Sequence, residues 1–127
     1  MTAMDDVERE TRRYMSMFES GPLIGLRSKG IGVMTREQAE LIHAVGPTAR
    51  ACGITTDCRS DHPTYQRLNF SPLVRTEGDN YARVMLRFQE ILQSVDLIRT
   101  IIRTLPAGKI RGGGTIGRGE TCRLYTS

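Results

Sequence analysis

The chain has 127 residues, 39% of them hydrophobic and 25% charged, which suits one globular domain of ordinary composition. The formal net charge is +4 and the sequence pI is near 9.3. Acidic residues lie between most of the basic ones, so the sequence lacks the concentrated basic face of a nucleic-acid binder, and no nucleic-acid partner is expected.

The first helix is predicted from about Asp5 to Phe18, with Asp5, Asp6 and Glu8 at its positive end. Val7, Tyr14, Met15 and Phe18 form its apolar stripe, and Gly21-Pro22 is expected to stop it. Leu23 to Met34, broken by Gly25, Gly30 and Gly32, reads as a loop with a short extended piece at Ile31–Val33. Thr35-x-x-Gln38 is a capping box, in which the hydroxyl caps a free amide and the Gln38 side chain reaches back. The helix it starts carries Ala39, Leu41, Ile42 and Val45 and is expected to end at Gly46. A single turn follows from Pro47 to Cys52. Ile54 to Arg75 has no sustained period and reads as a long ordered loop, a length that is uncommon unless functional.

The strongest signal runs from Asn80 to Leu105, with Asp79 as its cap. Tyr81, Phe88, Val95 and Ile102 recur every seven residues, and so do Val84, Ile91, Ile98 and Leu105. Together they make an apolar seam at alternating three- and four-residue steps. Met85, Leu92 and Ile101 broaden it, as in a helix sunk into a bundle. Arg83, Arg87, Arg99 and Arg103 flank the seam and are expected to form a solvated edge. Pro106-Ala107-Gly108 ends the helix, Gly112 to Gly119 is rich in glycine, and Thr121 to Thr126 is predicted as a β-strand. The predicted fold is mainly α. It is a partial helical bundle around one long helix at about 80–105, with a long ordered loop and a short C-terminal β segment. Residues 1–108 form the helical region, and 109–127 a glycine-rich linker with a truncated β segment.

Motifs with chemical meaning are few. Gly112-Gly113-Gly114-Thr115-Ile116-Gly117 matches G-x-G-x-x-G, but phosphate binding needs a strand before it and a helix after it, and here the order is reversed. Cys52, Cys58 and Cys122 form no C-x-x-C pair, which argues against a disulfide framework or a standard zinc site and for reduced thiols in the cytoplasm. A nucleophile made from Cys58 and His62 lacks the signature residues of cysteine hydrolases. Asp5 and Asp6 stand where a signal peptide would need basic and then apolar residues, and no window approaches 18 apolar residues. No direct membrane span is expected.

Several phrases, read together, resemble the large catalytic subunit of energy-converting nickel–iron hydrogenases and its relative, the 49 kDa subunit of respiratory complex I. They begin with Gly30-Ile31-Gly32-Val33-Met34-Thr35-Arg36-Glu37-Gln38-Ala39 and Gly46-Pro47-Thr48-Ala49-Arg50-Ala51-Cys52-Gly53. Asp61-His62-Pro63 and Leu68-Asn69-Phe70 follow, then Arg75-Thr76-Glu77-Gly78-Asp79-Asn80-Tyr81-Ala82-Arg83, continuing to Leu105-Pro106-Ala107-Gly108. Arg118-Gly119-Glu120 resembles the family's Pro-Arg-Gly-Glu segment, with Gly117 in place of the proline. The resemblance implies an internal portion of an oxidoreductase large subunit, of the hydrogenase or NADH-quinone oxidoreductase type, taking part in electron transfer. The parent family works with a nickel–iron centre, or with quinone and iron–sulfur partner subunits.

The two cysteine pairs that hold nickel and iron in the hydrogenases are absent here, and so is the earlier segment with the quinone-contacting His and Tyr. No cofactor is therefore expected in this chain, and no redox activity from it alone. The resemblance implies that Arg50, His62 and Arg118 face the inherited site region, acting through position and charge, so that substituting them leaves the fold largely intact. Implied partners are other subunits of a redox complex, among them a small iron–sulfur subunit, in the cytoplasm and peripheral to the inner membrane. The alternative reading is a non-catalytic helical interaction or assembly module, able to self-associate through the seam.

Overall fold

The computed structural model describes residues 3–108. Among them are six helices: α1 (Ala3–Ser20), α2 (Pro22–Ser28), α3 (Arg36–Leu41), α4 (Gly46–Ala51), α5 (Pro63–Arg67) and α6 (Asn80–Thr104). The predicted C-terminal strand, the linker before it and Arg118 lie outside the described residues. Among the described residues, no helix is long and apolar enough to cross a membrane.

The central helix α6 ends within one residue of its predicted limit, and Asp79 is its cap. One oxygen of Asp79 accepts from the Ala82 amide at 2.7 Å, and the other accepts from the Gly30 amide at 2.8 Å. A single carboxylate thus starts the helix and pins a loop 49 residues away in sequence onto its first turn. Gly78, just before the cap, has φ +63°, and a Cβ there would stand 2.1 Å from the Met34 carbonyl oxygen. Its amide donates to Ala51 O at 2.8 Å and its carbonyl accepts from Met34 N at 3.0 Å. Only glycine fits this crossing of three segments.

Helix α1 lies antiparallel to α6. Phe18, near its end, stacks on Tyr81 with ring centroids 5.3 Å apart and meets Phe88 edge-on at 6.1 Å. At the opposite end, Arg99 reaches Asp5 at 2.7 Å and also holds Glu8. Arg99, with Arg12 behind it, keeps the Glu8 carboxyl below its ordinary range. Arg99 is therefore a clasp between the two helices and not part of a solvated edge. Arg83 also departs from that expectation, since its Nη2 donates to the carbonyls of Gly32 and Gly78 at 2.7 and 2.8 Å.

The core sits on another face of α6. Ala51 of α4 meets Ala82 and Leu86 of α6, with Leu73 packed against them. Alanines let the two helix backbones approach closely, which is why a helix of only six residues can seat against α6. The seam of residues 81, 88 and 95 turns toward α1, whereas Ala82 and Leu86 turn toward α4. Helix α6 is therefore apolar around much of its girth, as its sequence suggested.

Three local expectations need correction. Residues 22–28 form α2 instead of a loop, because Pro22 opens a helix at a position whose N–H would be unpaired anyway. The expected extended piece Ile31–Val33 forms no strand, but isolated backbone bonds run from Asn80 N to Ile31 O and from Met34 N to Gly78 O, both at 3.0 Å. Helix α3 keeps its Thr35–Gln38 capping box yet ends at Leu41, well before Gly46. It ends there because His43 takes a left-handed conformation, φ +51°, and Ala44 N bonds back to Ala39 O at 2.8 Å. The long loop is ordered by a short helix of its own, α5, preceded by His62 and followed by Asn69 at φ +52°.

Candidate functional site

The densest chemistry in the structure is a cluster of four charged side chains, two of them buried, Arg50 and Asp57, and two partly exposed, Glu90 and Arg59. Arg50 is carried by α4 between Ala49 and Ala51, both buried, and its side chain is only 6% exposed. Its Nε donates to Glu90 Oε1 of α6 at 2.8 Å, and its Nη2 bonds to the same oxygen. Its Nη1 lies 2.9 Å from Asp57 Oδ2. The Asp57 side chain is 3% exposed and grips Arg59 with both oxygens, at 2.9 and 2.7 Å, while its Oδ1 also accepts the Arg59 amide at 3.0 Å.

Two guanidinium groups and two carboxylates thus alternate in one chain of bonds, Glu90–Arg50–Asp57–Arg59, with no formal charge left over. The hydrogen bonds from Arg59 pull the Asp57 pKa from 3.8 to about 2, against the opposing effect of burial. Asp57 in turn raises the Arg59 pKa above its ordinary value. Phe70 covers the outer side of Arg59, with the guanidinium carbon 4.5 Å from the ring centroid. Arg50 also serves through its backbone, since its carbonyl accepts from Arg75 N at 2.9 Å. The cluster welds α4, the loop after it and α6 together.

The cluster divides two grooves. One, of about 660 Å³, is bordered by Ala44, Val45, Ala49 and Ile54, with His43 and Cys58 at its edge and Arg50 and Asp57 in its floor. The other, of about 470 Å³, lies between α1 and α6, with Arg59 and Glu90 among its walls.

The predicted site residues part company here. Arg50 is at the centre of the cluster, and its burial and pairing revise the expectation that its loss would leave the fold intact. His62 is exposed, and its Nδ1 accepts from Thr64 N at 3.3 Å as the cap of α5, with its ring edge-on to Tyr65. It makes none of the cluster's bonds. Cys58 is exposed, while Cys52 is buried and its thiol donates to Thr48 O at 3.3 Å. Among the described residues, no group of three or more His, Cys, Asp or Glu is placed to hold a metal ion. The described donors do not fit a nickel–iron centre.

Sequence reasoning missed Asp57, Arg59 and Glu90. A signal for Glu90 existed, because it lies four residues after Leu86 and eight after Ala82, on the face that packs on α4. A carboxylate on a buried helix face demands a cation. Asp57-x-Arg59 is an Asp whose side chain accepts the amide two residues on, a recurrent turn device.

A long central helix packed through small residues and tied to α4 and its loop by a charge chain defines a mainly helical unit. The family model for the respiratory-chain NADH dehydrogenase 49 Kd subunit matches residues 1–115. The chain is 40% identical over 99 residues to the C/D subunit of the NADH-quinone oxidoreductase of Phocaeicola vulgatus, covering 76% of this chain and 19% of that protein. It is 37% identical over 101 residues to the D subunit of the NADH-quinone oxidoreductase of Dehalococcoides mccartyi, covering 78% and 28%. It is 33% identical over 114 residues to the D subunit of the F(420)H(2) dehydrogenase of Methanosarcina mazei, covering 88% and 30%. The chain belongs to the 49 kDa subunit family, and it spans less than a third of the length of these relatives.

Proposed function

We propose that this chain forms part of the large subunit of a multi-subunit oxidoreductase of the NADH-quinone oxidoreductase type, where it takes part in electron transfer as a structural and positioning element. The match of residues 1–115 to the family carries this reading, supported by relatives named as D subunits of NADH-quinone oxidoreductases. The chain itself supplies no metal ligands in this reading. Iron–sulfur clusters and quinone belong to the completed assembly, with a small iron–sulfur subunit as a neighbour. The assembly sits on the cytoplasmic side, and the chain is peripheral to the inner membrane through its partners. The Methanosarcina relative is named for a different electron donor, so the proposed role extends to more than one donor.

Within this reading, Arg50 acts on the site through position. It holds α4 and the loop from residue 54 to 75 at fixed places along α6. His62 and Arg118 are the residues proposed to face the site region. Affinity purification of the tagged full chain from its native host tests the proposal. Co-elution of an iron–sulfur subunit, seen by mass spectrometry and visible-range absorption, is the expected result. A purified chain that evolves hydrogen or reduces quinone alone would overturn it.

The second reading, a non-catalytic assembly module, is favoured by the aliphatic side chains that α6 exposes in its last turns. Association in that case would depend only on concentration and would need no iron–sulfur partner.

A further inference from the structure

Helix α5 stands apart from the rest of the molecule. Among the described residues it packs against none of the other helices. The hydrogen bonds of residues 60–70 close on the segment itself. His62 N donates to Arg59 O at 3.2 Å, Gln66 Nε2 to Ser60 O at 3.3 Å, and Phe70 N to Tyr65 O at 3.0 Å. The ties to α6 lie at or beyond its two ends. On the far side Ser71 O accepts from Gln93 Nε2 of α6 at 2.8 Å. On the near side Arg59 grips Asp57, which is bonded to Arg50 and through it to Glu90. A segment with so few contacts to the core is the kind that opens locally.

Its side-chain contacts lead inward through Arg59. Asp57 takes Nε and Nη2 of Arg59, so the flat face of the guanidinium is held at a fixed place. Asn69, at φ +52°, turns the chain back and brings Phe70 over that face, with the guanidinium carbon 4.5 Å from the ring centroid. Phe70 meets Tyr65 edge-on at 5.4 Å, and Tyr65 meets His62 edge-on at 6.1 Å. The charge cluster thus continues as Asp57–Arg59–Phe70–Tyr65–His62. These ring contacts are directional, and aliphatic bulk of similar size does not replace them.

We propose that residues 60–70 form a strap that opens separately from the α4–α6 core, and that Arg59 stacked on Phe70 is the latch that fixes His62 in place. Arg59 and Phe70 are then positioning residues for His62. That His62 faces a redox site rests on the function proposed above, but the latch does not.

The test uses the full chain, amide hydrogen exchange and proton NMR. Phe70→Leu keeps apolar bulk and removes the ring. It should speed exchange at the amides of Gln66, Leu68 and Phe70 by about tenfold or more, and change exchange in α4 and α6 by less than about twofold. The ring protons of His62, which lie against Tyr65, should move toward the positions of a histidine in an unfolded chain. Those of His43, the other histidine of the chain, should stay where they are. Phe70→Trp keeps a face for the guanidinium and should restore both readouts. If Phe70→Leu loses helicity by circular dichroism, Arg59→Lys takes its place, since it keeps the charge and gives up the planar face. Unchanged exchange together with unchanged His62 resonances would overturn the proposal. So would equal acceleration in α4 and α6, since strap and core would then open together. The expected changes at His62 without co-elution of an iron–sulfur subunit would uphold the latch and remove the proposed function.

Discussion

Where α6 meets α4, alanines bring the backbones together and four ionised side chains close the contact; where its last turns run past the start of α1, isoleucines stand in the open. The first region is finished. Its charges cancel within the chain, and its largest fully buried side chain, Leu86, is surrounded by the protein itself. The second is unfinished: a clasp of Arg99 with Asp5 and Glu8 holds two helices side by side over a seam neither can cover. Packing is thus concentrated at one end of α6, and exposed aliphatic surface at the other.

The sharpest way to break this comparison is to remove Arg50. Arg50→Ala leaves Asp57 and Glu90 short of a buried cation, and a loss of about 3–5 kcal/mol is expected by urea unfolding. A loss below about 1 kcal/mol would show that the cluster is not what holds α4 to α6.

Acid should dissolve the same region first. The folded pKa of Asp57 is depressed from 3.8 to about 2, so the unfolded chain takes up the proton before the folded one does. Its contribution is fully present above about pH 4 and lost as pH falls toward about 2. Stability measured across that window should decline, and Asp57→Asn should flatten part of the slope.

Two smaller substitutions probe the junctions around the finished end. Asp79→Ala removes a helix cap and the tie to Gly30, and should cost about 1–2 kcal/mol by thermal unfolding. His43→Gly should instead stabilise by about 0.5–1 kcal/mol, since glycine takes the left-handed conformation at φ +51° without strain.

The smallest effect belongs to the open end. Ile102→Ser should change the stability of the isolated chain by less than about 0.5 kcal/mol, because the side chain is mostly solvated already. A large stability loss would mean the last turns of α6 are covered by the chain itself.

Much of the scaffold could be read from residues alone. The limits of α6, the Asp79 cap and both halves of the Thr35–Gln38 capping box were local signals, complete within four residues. The family was legible because its phrases occur in order along the chain. Helix α2 was missed because Gly21-Pro22 signals both a stop and a start, and only the packing of α2 against α1 and α6 chooses between them. Arg50 was picked out, but its burial in a charge cluster was not foreseen. Its carboxylate partners lie 7 and 40 residues away, and nothing local to Arg50 announces them.

The sequence by itself determined the periodic seam, the starts of α3 and α6 and the family to which the chain belongs, because spacing and capping act over one or two helical turns. The tertiary structure alone decided which face of α6 is sealed, that Arg50 is sealed inside with it, and which stripe is left bare. Those outcomes depend on charges and methyl groups brought together from distant positions, and burial makes each pairing far stronger than its residues would suggest in water.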